Sequence, residues 1–149
     1  TLFLEILARS HASIIAAVDG SCGAREGVAR LIRAHLVWVV NSRREARYLF
    51  EISRSEWTEE IRGAQRAQNS RLAEAVEQWR APLVERGELL PMTSRVFFSQ
   101  VIGPAQMFCR GWLSRRDRAD PRDQTDILIA CAIRAVVVPD VRHEPGETV

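Results

Sequence analysis

Apolar residues recur every three to four positions along nearly the whole chain, and no stretch alternates apolar and polar residues between Asn-Gly or Asp-Gly turns. This pattern predicts an all-α fold of about six helices in an antiparallel bundle. A first helix over residues 1–18 carries Leu2, Phe3, Ile6, Leu7, Ile14, Ile15 and Val18, and stops at Gly20-Ser21-Cys22-Gly23. A second over 24–41 has Val28, Leu31, Ile32, Leu36 and Val39 as its stripe. His35, Trp38 and Val40 widen the apolar surface around most of the circumference, so this helix is expected at the centre of the fold. A short third helix covers 43–52. Ser53-Arg54-Ser55-Glu56 offers a capping box for a fourth, which runs through Trp57, Ile61, Gln68, Val76, Trp79 and Leu83 to Arg86-Gly87. Pro82 is expected to kink or split its last part.

Thr93 or Ser94 can cap a fifth helix that reaches about Arg116, with a bend at Gly103-Pro104. Asp120-Pro121 then supplies an N-cap followed by proline at the first helical position. The sixth helix is almost wholly apolar from Ile127 to Val138 and is ended by Pro139. Residues 1–138 therefore form one domain and residues 139–149 a polar tail.

Composition narrows the function more than it defines it. The chain has 149 residues, 46% apolar and 27% charged, which excludes a disordered or low-complexity polymer. Its 21 basic residues are all arginine and stand against 19 acidic ones for a formal +2, too balanced to imply nucleic-acid binding. Arg115, Arg116, Arg118 and Arg122 fall at a helix end, where cations complement the dipole. No apolar run has the length of a membrane span and no basic segment precedes the first one. Three cysteines without CxxC spacing fit a reducing compartment, so a cytoplasmic protein with no membrane partner is expected. The chain opens without Met directly in a helical pattern, as a fragment of a longer protein would.

Catalytic parts are scarce. The histidines are His11, His35 and His143, and HExxH, ExxH, GxSxG and glycine-rich phosphate loops do not occur. No enzyme, metal or cofactor is expected. Four polar residues, His35, Gln68, Gln100 and Gln106, interrupt apolar faces. A buried amide or imidazole must find partners in the core or face a cavity. Beside Trp38, Phe50, Trp57, Phe97 and Phe98 they fit the sparsely polar lining of a small-molecule pocket. The expected ligand-binding set is His35, Trp38, Phe50, Trp57, Ile61, Gln65, Gln68, Phe97, Gln100 and Val101.

The last two helices present more apolar surface than one packing face uses, which points to a second copy of the chain as cover. The expected homodimer interface comprises Pro104, Met107, Phe108, Gly111, Trp112, Ile127, Cys131, Ala135 and Val138. Two other classes remain open: a helical dimerisation or adaptor module with a filled core and no ligand, and a small helical enzyme using His35 with carboxylates.

The order of parts resembles a known one. Thr1-Leu2-Phe3-Leu4-Glu5-Ile6-Leu7, Ala29-Arg30-Leu31-Ile32-Arg33-Ala34-His35-Leu36 and Val101-Ile102-Gly103-Pro104-Ala105-Gln106-Met107-Phe108-Cys109-Arg110-Gly111-Trp112-Leu113, followed by Asp120-Pro121 and a small-residue helix, are similar to the C-terminal regulatory domain of TetR-family (tetracycline-repressor-like) transcriptional regulators. The resemblance implies an all-α domain that binds a small effector among its middle helices, and the aromatic candidate residues make that effector a largely apolar one. It also implies dimerisation through the last two long helices as a four-helix bundle, and release of operator DNA on binding the effector. The DNA-reading helix-turn-helix of that family would precede Thr1, so this chain is not expected to contact the operator itself.

Overall fold

The computed structural model describes residues 1–18, 22–52 and 57–140. Among these the backbone forms seven helices: α1 (Leu2–Ala17), α2 (Ala24–Asn41), α3 (Arg43–Glu51), α4 (Glu59–Glu85), α5 (Ser94–Val101), α6 (Gly103–Leu113) and α7 (Thr125–Val136), the last preceded by a 3-10 turn, Pro121–Gln124. The fold is all-α, as the periodicity predicts. No helix among the described residues is long and apolar enough to cross a membrane.

The helix with the widest apolar surface takes the centre. Val28, Leu31, Ile32 and Val39 of α2 are fully buried, and α2 packs against α1, α3, α5, α6 and α7. Each neighbour covers a different sector of its circumference, which is why a stripe broader than one packing face is needed. Gly27 sits where α2 meets Trp79 of α4, and a Cβ there would overlap the indole ring. The indole cannot easily withdraw, because its Nε1 donates to the Cys22 carbonyl at 3.0 Å.

Four local expectations change. The long helix α4 starts at Glu59 with Thr58 as its cap, the hydroxyl accepting from the Ile61 amide, so Trp57 stands ahead of the helix. The Ser53–Glu56 capping box and the Gly20-Ser21 stop lie outside the described residues. Pro82 does not split α4, which continues to Glu85. Pro82 and Gln78, whose carbonyl lacks the usual N–H partner, are both exposed, so water can replace the lost bond.

At Gly103-Pro104 the expected bend is a break. α5 ends at Val101, Ile102 lies between the helices, and α6 begins with proline in its first turn, where the missing N–H costs nothing. The single fifth helix thus becomes two, and α6 stops at Leu113, with Arg115 in the left-handed region at φ 60°.

The sixth predicted helix is also shorter. Asp120 does cap, accepting from the Arg122 amide at 2.9 Å, but the first turn is 3-10. Val138 is outside the helix: Leu89 and Val137 form an antiparallel bridge, closed by Leu90 N–H to the Val136 carbonyl and Val138 N–H to the Glu88 carbonyl. Val137 N–H still donates to the Ile133 carbonyl, but the Val138 amide turns to Glu88 instead of extending the helix, as suits a β-branched run beside an available backbone segment. The last two helices are therefore not long ones, with 11 residues in α6 and 12 in α7.

Candidate ligand-binding cavity

A hollow of about 800 Å³ lies between α1, α2 and the α3–α6 edge, with α4 and α5 closing its sides. Phe3, Leu7, Ile14, Trp38, Leu49, Phe50, Ile52, Leu72, Phe98 and Ile102 form its apolar wall. Ser10, His11, His35, Gln65, Asn69, Ser99, Gln106 and Arg110 supply the polar points. Its size and its wall, on which apolar and polar groups alternate in nearly equal measure, suit a small amphipathic organic molecule.

The structure gathers four of the expected ligand-binding residues on this hollow: His35, Trp38, Phe50 and Gln65. The other six are elsewhere. Trp57 packs at a tilt against Phe3, with a centroid distance of 4.4 Å, behind the wall and outside the lining of the hollow. Ile61 is half-buried outside the lining. Gln68 donates from Nε2 to the Leu4 carbonyl at 3.1 Å and fastens α4 to α1. Phe97 and Val101 are buried in the core, Phe97 between Trp79 and Phe98, and Gln100 is exposed on α5. One helical step of about 100° separates Phe97 from Phe98. The pattern places an aromatic pair on α5, but only packing decides which ring turns to the core and which to the cavity.

His35 has the most unusual environment. It is 2% exposed, and neither Nδ1 nor Nε2 has a hydrogen-bond partner among the described residues. Burial pushes its pKa down from 6.5 to about 4, so the ring is neutral at physiological pH and offers one N–H and one bare nitrogen. His11 also has a pKa lowered by burial, an effect opposed by its hydrogen bond to the Gln68 backbone; its Nδ1 has no partner among the described residues. An imidazole left unsatisfied in a core costs about 1–3 kcal/mol per missing bond. On the wall of a hollow the ring nitrogens can instead bond to water or to a ligand.

Sequence reasoning missed the α1 side of the cavity. Its signal is nevertheless present: Phe3, Leu7, Ser10 and Ile14 follow an i, i+4, i+7, i+11 stripe, with a serine inside it and His11 beside it. Arg110 is the only charged residue on the lining among the described residues, with its guanidinium 5.8 Å from the centre of the Phe50 ring. A second hollow of about 400 Å³ lies outside this pair and shares Phe50 and Arg110 with the first; Arg47, Glu51, Leu113, Ser114 and Arg116 complete it. Among the described residues no group of three or more His, Cys, Asp or Glu side chains is placed to hold a metal ion.

The residues expected at a dimer interface separate into two sets. Met107 and Ile127 are exposed at 79% and 54%, Pro104 and Cys131 are also exposed, and Phe108, Gly111, Ala135 and Val138 are half-buried. Trp112 departs from the expectation. It is buried at 9% within its own chain, with the Arg43 guanidinium 4.1 Å over its ring. Its indole serves the α2–α3–α6 core, since the α6 face that carries Cys109, Trp112 and Leu113 points inward.

No family model matches the chain, and no characterised protein matches it in sequence.

Proposed function

We propose that this chain is the effector-binding and dimerisation domain of a cytoplasmic TetR-type repressor, sensing a small, largely apolar molecule. The observation that carries this reading is His35, a buried imidazole in the wall of an 800 Å³ hollow with neither nitrogen partnered among the described residues. A protein that needed only a packed core would gain stability by replacing such a residue with Leu or Phe. A binding site instead uses the unsatisfied group to recognise a ligand, which recovers the missing hydrogen bonds on entry. The same feature weighs against an adaptor with a filled core. Binding is favoured over catalysis because no carboxylate of the described residues lines the hollow to orient His35 or to share a proton with it.

Dimerisation is supported by large apolar side chains left in solvent on consecutive helices, Val96 on α5, Met107 on α6 and Ile127 on α7. In this reading the two-fold partner covers them, and operator contacts belong to a helix-turn-helix outside these 149 residues. The effector acts by population shift, moving the dimer between operator-binding and released states only as far as it binds one better than the other. Calorimetric titration of the wild type and of His35→Phe with a panel of neutral and charged apolar compounds tests the reading. Micromolar binding that His35→Phe loses supports it; equal binding by both proteins, or none by either, refutes it.

A further inference from the structure

The two adjoining hollows differ in character, and the difference bears on the chemistry of the ligand. Phe3, Trp38, Phe98 and their neighbours line the inner one, and the polar groups that the described residues place on its wall carry no negative charge. The outer one opens at the edge of α3 and α6 and is ringed by Arg47, Arg110 and Arg116 against one carboxylate, Glu51. Arg47 is already engaged: its Nε donates to the Leu113 carbonyl at 3.1 Å, and Glu51 lies 3.9 Å from it. Arg110 stands on the boundary between the two, touching both, and is held over the Phe50 ring with no ion pair to a carboxylate of the described residues.

Resting on the sensing function proposed above, we propose that the ligand is an apolar monocarboxylate, its hydrocarbon body in the inner hollow and its carboxylate bound by Arg110 at the mouth. A guanidinium presents paired N–H donors that match a carboxylate in a bidentate fork. The guanidinium is within cation–π reach of the Phe50 ring centre, at 5.8 Å, and as an exposed side chain it keeps its donors available to a ligand. A cationic ligand fits poorly despite the aromatic wall, since the rim is basic and no acidic side chain of the described residues reaches the inner hollow. A neutral ligand would fill the inner hollow and leave Arg110 unused.

Three probes of equal chain length separate these cases: decanoate, 1-decanol and decyltrimethylammonium. Each is titrated calorimetrically into the 149-residue chain at pH 7.5 and low salt, below its aggregation concentration. Decanoate is expected to bind about tenfold or more tighter than decanol, and the ammonium compound weakest of the three. In Arg110→Gln, with its fold checked by circular dichroism and thermal melting, the advantage of decanoate should fall by about tenfold while decanol binding stays within about twofold. Arg110→Lys should restore part of it. Decanol binding as well as decanoate, the ammonium compound binding tightest, or an Arg110→Gln protein that keeps the carboxylate preference would each overturn the proposal while leaving a ligand-sensing domain intact. Failure of all three probes to bind would overturn the proposal together with the sensing reading on which it rests.

Discussion

Replacing His35 by Phe isolates the cost that the cavity imposes on the fold. In the wild type the ring is buried with neither nitrogen partnered among the described residues, so an apolar ring of similar width should stabilise the ligand-free protein by about 1–3 kcal/mol at pH 7. The pH dependence gives a sharper measure. Burial lowers the folded-state pKa of His35 from 6.5 to about 4, so the folded protein disfavours the proton that the unfolded chain accepts. The stability associated with the neutral ring is complete above pH 6.5 and declines as the pH falls towards 4. At 1.36 kcal/mol per pKa unit, about 2–3 kcal/mol should be gone by pH 4.5. His11, whose pKa is shifted in the same direction, is present in both proteins and cancels in the comparison. Urea denaturation of the two proteins from pH 7.5 to 4.5 should therefore show the advantage of His35→Phe growing by about 2–3 kcal/mol on acidification. An advantage that stays constant over that range would mean that His35 is solvated or paired in the folded protein, and the case for a binding cavity would lose its main support.

Other expectations concern the surface and the core. Light scattering at micromolar concentration should report about twice 16.9 kDa, and Met107→Arg combined with Ile127→Arg should halve it without lowering helicity, since both side chains are in solvent; a wild-type monomer would refute dimerisation. Trp112→Arg should instead unfold the chain or cost it about 3–5 kcal/mol, because the indole is core; clean dissociation with unchanged thermal stability would contradict its burial. Gly27→Ala gains about 1 kcal/mol of helix propensity but forces a methyl into the Trp79 ring, and a net loss of about 1–3 kcal/mol is expected in chemical denaturation. Fluorescence anisotropy with duplex DNA should find only weak, salt-sensitive association for residues 1–149; nanomolar binding that survives physiological salt would show that this chain reads DNA by itself.

The periodicity of the chain determined its class and most of its helices. Apolar residues at helical spacing can be buried only if each stretch forms a helix and turns that stripe inward, and the excess of such residues between Val28 and Val39 required α2 to be surrounded. Local chemistry also set several ends, as at Asp120, whose side chain caps the following turn as its position before Pro121 predicts. The breaks that depend on competing partners were not legible. Val137 and Val138 look helical in isolation, but a bridge to Leu89 captures their backbone, and nothing near them in sequence announces it. The site was legible in the same partial way. Polar residues on apolar faces marked the presence of a cavity, and His35, Trp38, Phe50 and Gln65 do line it. Which residue of a neighbouring pair faces inward depends on the rotation of each helix about its axis, and that rotation is set by all the neighbours at once. Of the two phenylalanines that mark the pocket in the sequence, Phe98 therefore lines the hollow and Phe97 joins the core, Trp112 turns into the core, and Gln68 serves the α1–α4 contact. Bringing Ser10 and His11 of α1 opposite Arg110 of α6 was a matter for the tertiary structure alone, because residues about 100 positions apart meet only after the intervening helices have packed.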